Sequence, residues 1–480
     1  MRRIDELAQA LAVGTTTSRT LIEESLAKIA DPDGEGARTF IKVHAERARA
    51  MADAADLLRA HGRGPGPYAG IPIALKDLFD IAGEPTPAGS AILADAPPAT
   101  ANAPVVARML AAGFIPVGRV NMTEFAFSGL GINPQYGTPS SPWDRASRRI
   151  PGGRSSGTAV AVADGMAAAG LGTDTGGSCR IPAAFCGIVG YKPTARRIPI
   201  AGVLPLAPSL DSVGPLAPSV ACCAAIDRIL AGEPAAPPAP ASPTFGPSTF
   251  GPPSSALLTP APLTPAPLTP APLTPARLNG LRLAVAENMV LDGMDDTVAA
   301  TFDRALVTLS AAGARIERVR FAEFSELPAI NAKGGFAASE AYAWHRRLLA
   351  RRGSGYDPRI RVRIARGEHM SAADYLDVLA ARARLIASFD RATAPYDCVL
   401  MPSVPIIAPR IADLDDERTY NSVNMLVLRN TALGNFFDRC AISLPCHRDG
   451  EAPVGLMLMG ETMGDARLFG IAAAMEAALR

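Results

Sequence analysis

Two glycine-rich segments, Pro151-Gly-Gly-Arg-Ser-Ser-Gly-Thr158 and Gly172-Thr-Asp-Thr-Gly-Gly-Ser-Cys-Arg180, flank a run of small residues. No other feature constrains the fold so tightly. Glycine reaches backbone conformations closed to other residues and lets the chain pass close to a ligand. Between the two loops, Ala159 to Met166 is largely apolar and small, which suits a buried helix, and Gly170 to Gly172 suits a strand. Loop, buried helix, strand and loop in this order describe the interior of an α/β sheet. In Thr175-Gly-Gly-Ser178 a tight turn can aim successive N–H groups at one point. Such a nest holds an anion, including the oxyanion of acyl transfer. Ser178 is then a candidate nucleophile. The competing readings are an ordinary turn or a phosphate loop, but neither GxxxxGK[ST] nor GxGxxG is present.

A serine nucleophile needs a base. The five histidines (His44, His61, His345, His369, His447) are scattered and none lies in a glycine-rich setting, which disfavours a Ser-His-Asp triad. Lys76 follows the apolar run Gly70-Ile-Pro-Ile-Ala-Leu75, at the end of an expected buried strand. Burial disfavours the charged amine and lowers its pKa, so a neutral lysine there can accept a proton. The alternative is a lysine paired with Asp77 or Asp80 in a turn.

Along the rest of the chain, residues 3–60 read as helical, with Thr17 or Ser18 capping a helix through Ile29 and a second helix from His44 to Ala60. Residues 70–220 alternate strands, glycine loops and helices, including a helix over 104–112 and a strand from Phe114 to Val117. Residues 232–277 depart from this pattern. They are dominated by Pro, Ala, Ser and Thr, with Leu258-Thr-Pro-Ala-Pro262 followed by near-copies from Leu263, Leu268 and Leu273. A five-residue proline repeat buries little apolar area, so a disordered or polyproline II spacer is expected. Leu281 to Val285 then reads as a strand, Asp295 to Ala312 as an amphipathic helix, and 335–395 as mainly helical. Cys398 to Met401, Ala441 to Leu444 and Val454 to Met459 read as strands before a closing helix, Asp465 to Leu479. Strands late in the chain are expected to return to the sheet begun near residue 70, making 1–231 and 278–480 one domain interrupted by the 232–277 insertion.

Charge and cysteine usage narrow the function. Lys and Arg total 47 against 46 Asp and Glu, so neither a nucleic-acid partner nor an anionic membrane surface is indicated. No charge-free stretch of membrane-spanning length occurs, and Met1 to Gly14 lacks a secretory apolar region. The seven cysteines are irregularly spaced, and Cys222 and Cys223 are adjacent. They read as reduced thiols, and the expected location is cytoplasmic. No histidine-based metal pattern is present.

Several motifs in order resemble the amidase signature hydrolases. These are Gly70-Ile-Pro-Ile-Ala-Leu-Lys-Asp77, Pro151-Gly-Gly-x-Ser155, Gly172-Thr-Asp-Thr-Gly-Gly-Ser178, Arg180-Ile-Pro-Ala-Ala-Phe-Cys-Gly187 and Gly190-Tyr-Lys-Pro-Thr194. Asn121-Met-Thr-Glu-Phe125, Pro142-Trp-Asp144, and Asn435-Phe-Phe through Ser443-Leu-Pro-Cys446 extend the match over nearly the whole chain outside 232–277. The resemblance implies an α/β fold with a mixed, mostly parallel sheet flanked by helices on both faces. It implies a Ser–cis-Ser–Lys triad hydrolysing carboxamides, without metal or organic cofactor. Lys76 would be the base, Ser178 would form the acyl-enzyme, and the N–H groups of Thr175, Gly176, Gly177 and Ser178 would form the oxyanion hole. The segment from Asn435 is most similar to the small-molecule hydrolases, including the carboxybiuret-hydrolase-like branch, with Arg180 and Asp438 as candidate pocket residues. A homodimer or a small accessory protein is compatible with the resemblance. So is the role of the glutaminase-type component of a tRNA-dependent amidotransferase, although that reading requires an ammonia path and a second polypeptide.

One position departs from the family pattern. Ungapped alignment from Gly157 to Ser178 puts Arg154 where the bridging serine belongs, and Ser155 where a second, supporting serine belongs. A guanidinium has no acceptor and cannot relay a proton. Three readings follow. Ser155 or a water takes over the relay; the chain is an impaired homologue with a binding or scaffold role; or Arg154 binds a carboxylate of a specialised substrate.

Overall fold

The computed structural model describes residues 1–64, 66–233 and 273–480. Among these residues eleven strands form one sheet: β1 (Phe40–Val43), β2 (Pro72–Lys76), β3 (Ile115–Val120), β4 (Ala169–Asp174), β5 (Val189–Lys192), β6 (Ser212–Ala217), β7 (Arg282–Ala286), β8 (Arg315–Val319), β9 (Cys398–Pro402), β10 (Ala441–Pro445) and β11 (Gly455–Met459). Their order across the sheet is β1-β3-β2-β4-β6-β5-β10-β11-β9-β7-β8. Strands from both sides of the insertion share this sheet, because β10 pairs with β5. No helix among the described residues is long and apolar enough to cross a membrane.

The α/β class and the mixed sheet are as expected, but "mostly parallel" needs correction. Four pairings are parallel (β2–β3, β2–β4, β7–β8, β7–β9). Six are antiparallel. The central reason is β6, which inserts antiparallel between β4 and β5 and leaves those two running the same way. Its sequence, Ser-Val-Gly-Pro-Leu-Ala, carries a glycine and a proline and gives no strand signal.

Alternation places the core. In β2 and the residue before it, Ile71, Ile73 and Leu75 pack on one face with Val105, Val106 and Met109 of the helix Pro104–Ala111. Ala74 faces the other side, against Ile22, Ala48, Ile115, Val117 and Ala161. The helix Ser18–Ala30 on that side is capped by Thr17, whose hydroxyl accepts from the Thr20 amide. The small-residue helix is Ser156–Ala163, with its first seven residues buried. Residues 40–43, expected to be helical, instead add β1 to the edge beside β3.

The spacer expectation for the proline repeat falls on residues that lie, for 234–272, outside the described ones. The last copy is described from Leu273 onward. Leu273 and Ala276 pack on the core, and the Ala276 N–H donates to the Gly470 carbonyl at 2.9 Å.

Gly190, in β5, lets this strand pass under the turn that follows Ser178. A Cβ there would lie 2.1 Å from the Cys179 carbonyl oxygen. We therefore expect Gly190→Ala to destabilise the protein by about 1–3 kcal/mol. Gly353→Ala, where a Cβ meets nothing within 4 Å, serves as the control. Urea-denaturation midpoints check the difference; equal midpoints would remove the close approach from the account.

Candidate active site

Parallel strands β2 and β4 lie side by side, with Leu75 opposite Leu171, so their C-terminal ends open at the same place. Lys76 is the last residue of β2 and is fully buried. Its Nζ donates to Thr173 Oγ1 at 2.7 Å. Among the described residues Lys76 pairs with neither Asp77 nor Asp80: Arg119 Nε donates to Asp77 Oδ1 at 2.7 Å and the Gly89 amide to Oδ2 at 2.9 Å, while Thr86 Oγ1 donates to Asp80 Oδ1 at 2.6 Å. Burial without an ion-pair partner pulls the Lys76 amine down to about 7, and the charge of Arg154 adds to the effect.

The loop after β4 is tied to one side chain. Asp174 Oδ1 accepts from the Gly177 amide (2.8 Å), Arg180 Nη2 (2.8 Å) and Asn435 Nδ2 (3.0 Å). Its Oδ2 accepts from the Cys179 amide (3.1 Å) and Arg180 Nε (3.0 Å). Burial opposes ionisation of this carboxyl, but Arg180 and the amides hold it well below the usual carboxylate range. The turn needs a glycine at 177, where φ is +126° and a Cβ would lie 2.0 Å from Thr431 Oγ1. Thr431, on the helix Glu417–Phe436, donates its hydroxyl to the Gly176 carbonyl at 2.8 Å. Thr175 Oγ1 donates to Asp211, which also accepts from the amides of Leu206 and Ala207. Burial raises the Asp211 pKa.

Ser178 is buried at the end of this turn, and its neighbour is Arg154. Arg154 Nη1 donates to Ser178 Oγ at 3.2 Å. Arg154 is 6% exposed, its Nε has no hydrogen-bond partner among the described residues, and desolvation brings its pKa down to about 10. Ser155 is fully buried and its Oγ donates to the Thr173 carbonyl at 3.4 Å. Lys76 and Ser155 thus both end on Thr173, one on its hydroxyl and one on its carbonyl. Among the described residues neither Ser155 nor Ser178 hydrogen-bonds Lys76, and no peptide bond is cis.

The structure brings Lys76, Arg154, Ser155 and Ser178 into one cluster, but two expected pocket residues leave it. Arg180 is fully buried in the Asp174 ion pair and also donates to Asn435 Oδ1 at 2.7 Å, so it holds the loop and does not face a substrate. Asp438 sits on the turn after the long helix and pairs with Arg196. It contacts none of Lys76, Arg154, Ser155 and Ser178. The Gly177 N–H points at Asp174 and not outward. Thr173 and Asp174, which sequence reasoning left without a role, lie inside the second glycine-rich motif, which was their signal. Asp211 had none. Among the described residues no group of three or more His, Cys, Asp or Glu side chains could hold a metal ion.

A family model described as Amidase matches residues 20–469, and the chain belongs to that family. A 2-amino-5-chloromuconic acid deaminase of Comamonas testosteroni is 37% identical over 434 residues, covering 90% of this chain and 86% of the relative. A component of the glutamyl-tRNA(Gln) amidotransferase of Anaeromyxobacter dehalogenans is 34% identical over 507 residues, covering 98% and 95%. A crystal structure of an amidase superposes with a TM-score of 0.83 at 29% identity, covering 100% of both chains. The fold and the family resemblance therefore agree.

Asp174→Ala would leave the Arg180 guanidinium buried without its carboxylate. Breaking such a pair from one side costs about 3–5 kcal/mol. We expect a matching drop in denaturation stability, measured by urea titration. Arg196→Ala, whose pair with Asp438 is largely exposed on the arginine side, serves as a milder comparison.

Proposed function

Starting from family membership, we propose that this chain hydrolyses a carboxamide C–N bond in a small molecule through a Ser178 acyl-enzyme, with Lys76 as base. One observation carries the reading: a lysine with no carboxylate partner, brought to about 7 by burial, sits at the end of the strand beside the Ser178 loop. Ser178 Oγ attacks the carbonyl carbon and its proton passes toward Lys76. The developing oxyanion is met by the amides of Thr175, Gly176 and Ser178, while Gly177 shapes the turn. Collapse of the tetrahedral intermediate breaks the C–N bond and the nitrogen leaves protonated. Water then attacks the ester and releases the acid, regenerating Ser178.

The proton path runs through Ser155 or a water, since Arg154 cannot accept a proton. Ser155 is the nearer candidate because it and Lys76 share Thr173. A second reading rests on Arg154 itself. Its hydrogen bond to Ser178 Oγ occupies the nucleophile, and a chain held that way is an impaired homologue with a binding or scaffold role. The amidotransferase reading draws support from the relative of Anaeromyxobacter dehalogenans, and co-purification of a second polypeptide would favour it.

Purified protein assayed on a panel of small amides separates these readings. We expect turnover by the parent and none by Ser178→Ala or Lys76→Met. A silent parent that gains large activity as Arg154→Ser would support the impaired reading and sink the active one. A parent as active as its Ser178→Ala variant would remove the acyl-enzyme.

The pH profile gives a separate test. Lys76 must be neutral to accept a proton, and burial lowers its pKa from 10.5 to about 7. We therefore expect kcat/KM to fall tenfold per pH unit below about 7 and to level above it. A limb near 10 would mean a solvated lysine and would contradict the buried site.

A further inference from the structure

Among the described residues, Arg154 is a buried cation without a counterion. The residue is 6% exposed, and among the described residues its Nε has no partner and its single hydrogen bond goes to a neutral hydroxyl, Ser178 Oγ. Two carboxylates lie near enough to act on it electrostatically, Asp174 and Asp211, but neither pairs with it. Both are committed elsewhere: Asp174 to Arg180, Asn435 and two amides, Asp211 to Thr175 and two amides. A second cation, Arg363, adds repulsion. Its own polar contacts are with the Phe127 carbonyl and Asn421, so it supplies no negative charge. Burying an unpaired charge is unfavourable, and charges retained in protein interiors are normally paired.

The guanidinium also lies against the turn that carries Ser178. The atoms nearest to a Cβ built on Gly176 would be Arg154 Nη1 (3.6 Å), Arg154 Nη2 (3.8 Å) and Leu428 Cδ2 (3.9 Å). Gly176 thus faces a cationic fork and an apolar side-chain tip. Planar, fixed donors of this kind match a carboxylate in a two-point grip.

Resting on the hydrolase reading above, we propose that Arg154 is the anion-binding residue of the substrate pocket. The substrate is then a small C–N compound that carries a carboxylate within a few bonds of the scissile bond. That carboxylate supplies the missing counterion and draws the guanidinium off Ser178 Oγ, freeing the nucleophile. The substrate so completes a charge pair that the folded chain leaves open. A neutral amide of the same size finds an unpaired cation and an occupied serine.

Two measurements test this. The first compares kcat/KM for succinamic acid and for neutral butyramide, in the parent and in Arg154→Met. We expect the parent to prefer the anionic amide, and Arg154→Met to lose about 100-fold on it, so that the preference for the anionic over the neutral amide disappears. Equal losses on both amides would overturn the assignment. The second needs no turnover. In the Ser178→Ala background, succinate and malonate should raise the thermal midpoint, and adding Arg154→Met should abolish that shift. Arg154→Met without ligand should unfold no earlier than the parent, because it removes an uncompensated charge. A clear loss of midpoint would show that the guanidinium has a structural partner and would overturn the proposal. Dicarboxylate binding that depends on Arg154, in a protein that hydrolyses nothing, would defeat the hydrolase reading and leave the anion site standing.

Discussion

The Asp174–Arg180 pair governs the geometry of the site. Asp174 ends β4, Arg180 begins the helix Arg180–Cys186, and the nucleophile loop is the short arc between them. A bidentate ion pair across that arc fixes both ends, and the amides of Gly177 and Cys179 bind the same carboxylate from within the loop. Asn435 joins the knot from the far part of the chain. With those bonds in place the turn has one shape, and Ser178 has one position relative to β2. A buried pair of this kind adds little net stability against an apolar alternative. Its effect here is to specify one loop conformation, which general packing would leave open.

Among the cations buried around this loop, Arg180, Lys76 and Arg154 are each treated differently by the protein. Arg180 is fully compensated by Asp174. Lys76 has only hydroxyl contact, and burial pushes it toward the neutral amine. Arg154 cannot follow that course. Burial brings a guanidinium down only to about 10, so near neutral pH it stays charged. The difference is one of intrinsic basicity: the same desolvation that turns a lysine into a base leaves an arginine as a cation in search of an anion. The chemistry of the site thus follows from which cation has a carboxylate beside it.

Much of this is legible in the sequence, because the informative residues are ones whose physics is local. Lys76 after a run of apolar residues marks a buried strand end, and the glycines before Ser178 mark a turn. The closing helix Asp465–Leu479 has the bounds its sequence pattern predicts. What escapes such reading depends on partners distant in the chain. Arg180 reads equally well as a substrate contact or a loop clamp until Asn435, 255 positions away, is seen beside it. The same holds for β6, whose glycine and proline carry no strand signal and whose place is set by β4 and β5 on either side. Gly177 shows a finer limit. Its glycine is expected from the motif, but the direction of its N–H depends on the Asp174 side chain.

Positions 154 and 155 bring these points together. Arg154 has two opposed effects on Ser178 and Lys76. Its charge favours the neutral amine of Lys76 and would stabilise negative charge developing on Ser178 Oγ. Its hydrogen bond, however, occupies a lone pair of that same oxygen and orients the hydroxyl away from free attack. The field acts at a distance and survives a small displacement of the guanidinium, whereas the hydrogen bond requires contact and does not. An anion that draws Arg154 aside by a fraction of an ångström would therefore remove the inhibitory contact first. It would also neutralise part of the helpful field, so the gain is greatest when the anion sits on the side of the guanidinium away from Ser178. Ser155 is unaffected by such a movement, since its hydroxyl is anchored on the Thr173 carbonyl next to Lys76. On the proposed reading, the adjacent pair would divide the work of one bridging serine: Arg154 would answer to the ligand, and the Ser155 hydroxyl would stay beside Lys76.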